Sequence, residues 1–138
     1  MIKILSIIFA CALSLSATAD KSVEAGVRKS FDDNLKYSIA ADIDGVLSTV
    51  HTQSLFYLNT KNLLTQVLNI YKLDYTLLDY QFISYDGELA YVRAKQRTTK
   101  ISGPAFQNNE IDIVQVYKQE AGIWKLWAQA NMAVKYIP

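Results

Sequence analysis

The sequence is poor in the residues that cross-link or interrupt a small fold. Its 138 residues include one cysteine, one histidine, two prolines and five glycines. A single cysteine excludes a disulfide scaffold, and a single histidine excludes a histidine-rich metal site. No linker, repeat or low-complexity stretch divides the chain. These absences indicate one continuous domain that relies on an apolar core.

Net charge is also nearly absent. Fourteen basic residues stand against thirteen acidic ones, which gives a formal charge of +1. A nucleic-acid binder normally carries a marked basic excess, so we expect no nucleic-acid partner. The hydrophobic content of 51% excludes a disordered chain, which needs low hydrophobicity and high net charge.

The N-terminal segment has the three parts of a secretory signal peptide. Lys3 supplies the positive start, residues 4–15 are almost wholly apolar, and Ala17-Thr18-Ala19 offers small residues for cleavage before Asp20. The apolar run is short for a membrane span, which needs about 20 residues. The alternatives are an uncleaved anchor helix and a lipoprotein acylated at Cys11.

We therefore predict a signal peptide at 1–19 and a single domain at 20–138. Cleavage would remove Lys3 and Cys11, leaving a neutral, cysteine-free chain without disulfide or thiol chemistry. The expected location is outside the cytoplasm, in a bacterial periplasm, with no stable membrane insertion after cleavage. We expect no cofactor and no metal.

Helical patterns come first along the chain. An apolar residue at every fourth position from Val23 to Ile39 predicts a helix over residues 21–40. Asp42 is a candidate N-cap for a second, short helix. The apolar run 55–58 predicts a short strand, and Asn59 or Thr60 is then expected to cap a third helix.

Strand patterns follow from Leu73 onward. Turn signals at Asp86-Gly87, Ser102-Gly103-Pro104 and Ala121-Gly122 separate four long β-rich runs. Helices at one end of a chain and a strand meander at the other are typical of α+β proteins. We predict three N-terminal helices packed on a strongly curved antiparallel sheet.

Two motifs resemble the nuclear transport factor 2-like superfamily, which includes SnoaL-like and ketosteroid isomerase-like domains. One is the turn Ala41-Asp42-Ile43-Asp44-Gly45-Val46-Leu47 after the long first helix. The other is Gly122-Ile123-Trp124-Lys125-Leu126 at the start of the last strand. The resemblance implies a cone-shaped fold with a pocket at its open end and a homodimer formed through the sheet.

A two-residue loop at Ala121-Gly122 fixes an expected register for the last hairpin. It pairs Val116 with Trp127, Val114 with Gln129 and Asp112 with Asn131 on one side of the sheet. That side is mixed, as expected of a pocket wall. The other side is apolar and pairs Tyr117 with Leu126, Ile113 with Ala130 and Ile111 with Met132. The candidate ligand-binding residues are Asp112, Val114, Trp127, Gln129 and Asn131.

Three residues are candidates for acid–base chemistry. Ile111-Asp112 is similar to a dipeptide of ketosteroid isomerase, where a protonated aspartate donates a hydrogen bond. His51 is the only histidine, and Tyr57 lies where the family resemblance places the general base. No carboxylate stands at that position, and each of the three residues can equally be structural.

Basic residues cluster at Arg93, Lys95, Arg97 and Lys100. The Asp86-Gly87 hairpin is expected to place Tyr80 opposite Arg93 and Thr76 opposite Arg97. Arg93 is therefore a candidate contact for an anionic ligand, and the alternative is a solvated sheet face.

The expected function is an exported, non-catalytic module that binds a small apolar or anionic ligand or another protein, and forms a homodimer. One alternative is a small lyase, cyclase or isomerase that acts on an apolar substrate in the cone pocket. The other is a structural accessory domain of an envelope assembly.

Overall fold

The architecture is three helices followed by a four-stranded antiparallel sheet. The structure is a computed structural model that describes residues 8–55 and 57–138, with side-chain surroundings from Asp20 onward. In chain order the elements are α1 (Ile8–Ile39), α2 (Ile43–Ser48), α3 (Tyr57–Leu68), β1 (Lys72–Tyr85), β2 (Leu89–Ser102), β3 (Asn109–Glu120) and β4 (Ile123–Tyr136). Within this part of the chain, none of the helices has the length and apolarity needed to cross a membrane.

The sheet has the strand order β1-β2-β3-β4 and packs one face against α1. We call this face the inner face and the opposite one the outer face. The core between α1 and the inner face consists of Val27, Phe31, Ala90, Val92, Ala94, Ile113, Tyr117, Trp124 and Leu126. The predicted α+β class, with helices covering a curved antiparallel sheet, is confirmed.

Two β-bulges in β1 interrupt the first hairpin, and a third register shift lies at its far end, between Lys72 and Leu73. The register shifts between Leu77 and Asp79 and again between Phe82 and Ser84, so Leu78 and Ile83 have no partner in β2. The apolar residues Leu77, Tyr80, Phe82 and Tyr85 of β1 are spaced three, two and three apart, so a regular strand would not put them all on one face. The shifts bring all four residues against the core. Tyr80 therefore lies opposite Ala94 rather than Arg93 as expected, whereas Thr76 lies opposite Arg97 as expected.

Two further bulges interrupt the last hairpin, at Trp127 and Met132 of β4. The predicted pair Tyr117–Leu126 is confirmed, but beyond it the predicted pairs are wrong. The observed partners are Val116–Ala128, Val114–Ala130, Ile113–Asn131, Asp112–Ala133 and Ile111–Val134. Each extra residue reverses the faces of the residues that follow, so Gln129 and Asn131 share the inner face with Gln115 and Ile113.

The helical segments differ from the sequence expectation in three places. The first helix is longer than predicted and contains the expected cleavage site after Ala19. The signal peptide stays a prediction, and its residues 1–7 lie outside the described residues. The strand expected at 55–58 is wrong: Leu55 lies in a turn and α3 begins at Tyr57, with Phe56 outside the described residues. Asn59 and Thr60 therefore lie in the first turn of α3 rather than at its cap.

The short second helix begins where the sequence predicts. Asp42 is the N-cap, and its Oδ1 accepts a hydrogen bond from the backbone N–H of Gly45 at 2.9 Å. After α2 the chain runs along the edge of β4, where Val50 forms a parallel bridge with Leu126. This bridge holds the start of β4 against the helical side of the molecule.

Candidate ligand-binding cavity

A cavity of about 580 Å³ opens between α3 and β4. The C-terminal part of α1, helix α2 and the residues before α3 complete its walls. The described lining residues are Asn34, Ser38, Val46, Val50, Ser54, Leu55, Asn59, Thr60, Leu63, Leu64, Leu126, Trp127, Ala128, Gln129 and Asn131. This volume falls within the range of small-molecule sites, which is about 300–1,000 Å³.

The cavity wall combines apolar side chains with neutral hydrogen-bonding groups. Its polar members carry amides or hydroxyls, and none of the described lining residues has a side chain that titrates near neutral pH. Elsewhere in the described chain, no three His, Cys, Asp or Glu side chains lie close enough together to hold a metal ion. The wall is therefore suited to neutral ligands that are mainly apolar.

A chain of hydrogen bonds runs from the core to the sheet wall of the cavity. The Tyr117 hydroxyl donates to Oε1 of Gln115 at 2.9 Å, and Nε2 of Gln115 donates to Oε1 of Gln129 at 2.7 Å. Nε2 of Gln129 then donates to Oδ1 of Asn131 at 3.4 Å. Tyr117 and Gln115 are buried, whereas Gln129 and Asn131 line the cavity, so we call these four residues the amide relay.

The helix wall of the cavity has an oriented amide of its own. Nδ2 of Asn34 donates to Oγ1 of Thr49 at 2.7 Å, and that hydroxyl donates to the backbone carbonyl of Val46 at 2.7 Å. Because the single hydroxyl proton of Thr49 is used by Val46, Thr49 accepts from Asn34. This orientation leaves Oδ1 of Asn34 as the acceptor of the side chain.

Two side chains outside the described lining, His51 and Lys118, hold the ring of Trp127 in place. The rings of His51 and Trp127 pack edge to face with centroids 4.8 Å apart, and Nζ of Lys118 lies 4.8 Å from the Trp127 ring centroid. His51 is buried, and its Nδ1 accepts a hydrogen bond from the backbone N–H of Gln53. The structure therefore places His51 against a lining residue and outside the described lining itself.

Glu120 anchors the loop that carries His51. Its carboxylate receives Nζ of Lys125 at 2.8 Å and the backbone N–H of Thr52 at 3.2 Å, together with the Thr52 hydroxyl. The hydrogen bonds from Lys125 and Thr52 lower the pKa of Glu120 to about 2. The carboxylate thus fastens residue 52 to the β3–β4 hairpin next to Trp127.

The outer face carries an ion-pair ladder. Arg93 makes two hydrogen bonds to the carboxylate of Asp112, at 2.6 and 2.9 Å, and Arg97 makes two to Oε1 of Glu110. The bond from Arg93 lowers the pKa of Asp112. A protonated, hydrogen-bond-donating Asp112 is therefore not what the structure shows, because Arg93 stabilises the charged form.

The predicted site residues fall into two groups. Trp127, Gln129 and Asn131 line the cavity, although the pairing that selected them was wrong. Asp112, Val114 and Arg93 lie outside the described lining, and the pairing of β2, β3 and β4 puts them on the outer face. The third acid–base candidate, Tyr57, is the first residue of α3 and also lies outside the described lining.

Sequence reasoning missed the helix wall of the cavity. Asn34 and Ser38 lie on α1, and Asn59, Thr60 and Leu63 lie on α3. A signal for Asn34 was present, because it lies three residues after Phe31, on the side of α1 that the apolar stripe turns toward the core. No comparable signal marked Asn59 and Thr60, because the sequence predicted them as the cap of the third helix rather than as residues within it.

The fold is an α+β fold of the nuclear transport factor 2-like type, and solved structures with this fold superpose on it. A conserved protein from Planctomyces limnophilus DSM 3776 gives a TM-score of 0.71 at 16% identity, over 85% of this chain and 99% of that chain. An NTF2-like protein of unknown function from Pseudomonas putida KT2440 gives 0.64 at 11% identity, over 79% and 84%. A ketosteroid isomerase-like protein from Erwinia carotovora atroseptica SCRI1043 gives 0.58 at 13% identity, over 79% and 95%.

At such low identities these structures establish the fold alone. Residues 29–137 match the family model of the C-terminal domain of the anti-sigma-I factor RsgI9. The match spans most of the sequence, and the chain belongs to this family. No curated protein matches the chain.

Proposed function

We propose that this protein is an exported, non-catalytic module that binds a small, mainly apolar ligand in the cavity between α3 and β4. The observation that carries the proposal is the chemistry of the cavity wall. Apolar side chains provide most of its surface, and amides and hydroxyls provide a few oriented polar contacts. Such a wall binds a ligand by burial and orients it by hydrogen bonds.

The positions of the acid–base candidates favour binding over catalysis. A general acid or base must come within hydrogen-bond reach of the reacting atom. Asp112 is paired with Arg93 on the outer face, and His51 lies behind Trp127. The matching family model is named for a domain of an anti-sigma factor, which also agrees with a binding role.

Ligand binding is tested with N-phenylnaphthylamine, a neutral apolar dye that fluoresces in apolar surroundings. We expect saturable binding to the wild-type protein. Leu63→Glu places a carboxylate in the cavity wall and is expected to weaken binding at least about tenfold, because a charge would have to be desolvated.

Leu58→Glu is the matched control for this experiment. Leu58 is also an exposed leucine of α3, but it lies outside the described lining. The dye should bind this variant as it binds the wild type. Equal loss in both variants, or no saturable binding to the wild type, would contradict the proposed site.

Export is tested by expressing the full chain in a bacterium and measuring the mass of the protein in the periplasmic fraction. We expect a chain that begins at Asp20. Ala19→Arg changes the last residue before the expected cleavage point and should leave the precursor uncleaved. A full-length wild-type chain in the cytoplasmic fraction would contradict export.

The proposed assembly is a homodimer formed through the outer face. Val114, Val116 and Ala130 provide small apolar side chains there, beside the ion-pair ladder. Sedimentation equilibrium should give a dimer for the wild type and a monomer for Val116→Lys. A wild-type chain that stays monomeric at high concentration would contradict this assembly.

A further inference from the structure

The amide relay begins at a hydrogen-bond donor in the core. Tyr117 is 1% exposed, and burial raises the pKa of its phenol well above the usual value. The phenol therefore remains protonated throughout the neutral range. Its proton is donated to Oε1 of Gln115, and the described residues give the Tyr117 hydroxyl no other hydrogen-bond partner.

This first bond determines the direction of every later one. If the Gln115 amide were reversed, its Nε2 would point at Tyr117 and the phenolic proton would be left unpaired in the core, which is costly. With Oε1 of Gln115 committed to Tyr117, Nε2 must be the group that reaches Gln129. Because Oε1 of Gln129 accepts from Gln115, the group that Gln129 presents to Asn131 is the donor Nε2. Asn131 must therefore accept through Oδ1.

The relay therefore ends on a donor at the cavity surface. Oδ1 of Asn131 accepts from Gln129, and the two Nδ2 protons of Asn131, like the second Nε2 proton of Gln129, have no partner among the described residues. Asn131 lines the cavity, and its side chain is oriented by groups that reach back to a buried phenol. A donor fixed in this way favours ligands that bring an acceptor to it.

The geometry points to a neutral apolar ligand that carries a carbonyl-type or ether-type oxygen, which accepts a hydrogen bond from Nδ2 of Asn131. This inference rests on the proposed function, because it names the chemical class of ligand for the same cavity. Gln115 is a positioning residue: it lies outside the described lining and acts through Gln129.

The test compares two probes of nearly the same shape, acetylnaphthalene and ethylnaphthalene, which differ in one carbonyl oxygen. The quantity measured is the ratio of their dissociation constants by isothermal titration calorimetry. Asn131→Leu is expected to shift this ratio about three- to tenfold in favour of the hydrocarbon, which is the contribution of one lost hydrogen bond.

Gln115→Met tests the relay itself. It keeps the side-chain length of a buried residue but removes the amide that orients Gln129. We expect the ratio to shift in the same direction as in Asn131→Leu, while the affinity for the hydrocarbon stays within about twofold of wild type. Thermal unfolding of the variant establishes that it is folded.

Asn69→Leu is the matched control, because Asn69 is an exposed amide in the turn after α3 and lies outside both the relay and the described lining. Its ratio should equal that of the wild type. If both probes bind but the ratio is the same in wild type and Asn131→Leu, the acceptor inference is overturned and the proposed binding function stands. If neither probe binds the wild type, the proposed function fails and the inference fails with it.

Discussion

The two ends of the helical layer are packed very differently. Helix α1 buries Val27 and Phe31 completely or nearly so against the sheet, and further residues of the helix pack around them. Helix α3 buries only Leu68 among its described side chains, and its Leu58 and Leu63 are 70% and 60% exposed. The difference teaches that most of the apolar core lies between α1 and the sheet, whereas α3 mainly forms a wall of the cavity.

The largest effect is expected from a truncation on the α1 side. Phe31 packs edge to face on Tyr80 with ring centroids 5.1 Å apart and is buried in the core. Phe31→Ala should lower the free energy of unfolding by about 3–5 kcal/mol, as is typical for a buried aromatic residue. Urea unfolding followed by circular dichroism measures this loss, and a loss below about 1 kcal/mol would remove the contrast between the two helices.

A smaller effect is expected from the equivalent truncation on the α3 side. Leu68→Ala removes the one buried contact of this helix among its described side chains, and should cost about 2 kcal/mol, at the low end for a buried leucine. Affinity for N-phenylnaphthylamine should fall in the folded protein, because α3 forms one wall of the cavity. Unchanged affinity would show that α3 is held by something other than Leu68.

Acidification is expected to act on the contact between the segment before α3 and the β3–β4 hairpin. The pKa of Glu120 is lower in the folded chain than its ordinary value of 4.5, at about 2, so the folded state favours the carboxylate. This contribution to stability is present above pH 4.5 and is lost as the pH falls toward 2.

Glu120→Gln isolates that contribution. The variant should be less stable than wild type at neutral pH, and the difference should shrink as the pH falls through this window. Thermal unfolding of both proteins between pH 7 and 2 measures it. A difference that does not change with pH would mean that Glu120 contributes little through its charge.

The smallest effect is expected on the outer face. Asp112→Asn removes the charge that pairs with Arg93, but the pair is exposed and exposed ion pairs contribute little. Dye affinity should be unchanged, because Asp112 lies on the face opposite the cavity. Loss of dye binding in this variant would show that Asp112 contributes to the binding site.

Much of the fold could be predicted because local signals are strong there. The four-residue spacing of Val23, Val27 and Phe31 predicts α1, and Asp86-Gly87 and Ala121-Gly122 mark the two hairpin turns. The register along those hairpins could not be predicted from the turns alone, since each bulge adds one residue at a position that the turn does not specify. The spacing of the core residues Leu77, Tyr80 and Phe82 does carry this information, because a regular strand cannot put residues 77 and 80 on one face.

The cavity was harder to predict, because its walls come from parts of the chain far apart in sequence. Gln129 and Asn131 were identified as polar residues near the end of a strand, but with partners on the wrong side of the sheet. The oriented amides depend on contacts such as Asn34–Thr49 and Gln115–Gln129, whose geometry is set only when α1 and the sheet are packed together.

The bulge at Trp127 means that the cavity depends on residue number as well as residue type. Trp127 has no partner in β3, and the side chains from Ala128 to Asn131, up to the second bulge, are shifted by one position in the pleat. Deleting that one residue would send Gln129 and Asn131 to the outer face and bring Ala130 inward, although no other residue of the strand is changed. The polar wall of the cavity therefore depends on the strand register. A one-residue insertion or deletion would remove this wall although Gln129 and Asn131 are still present in the chain.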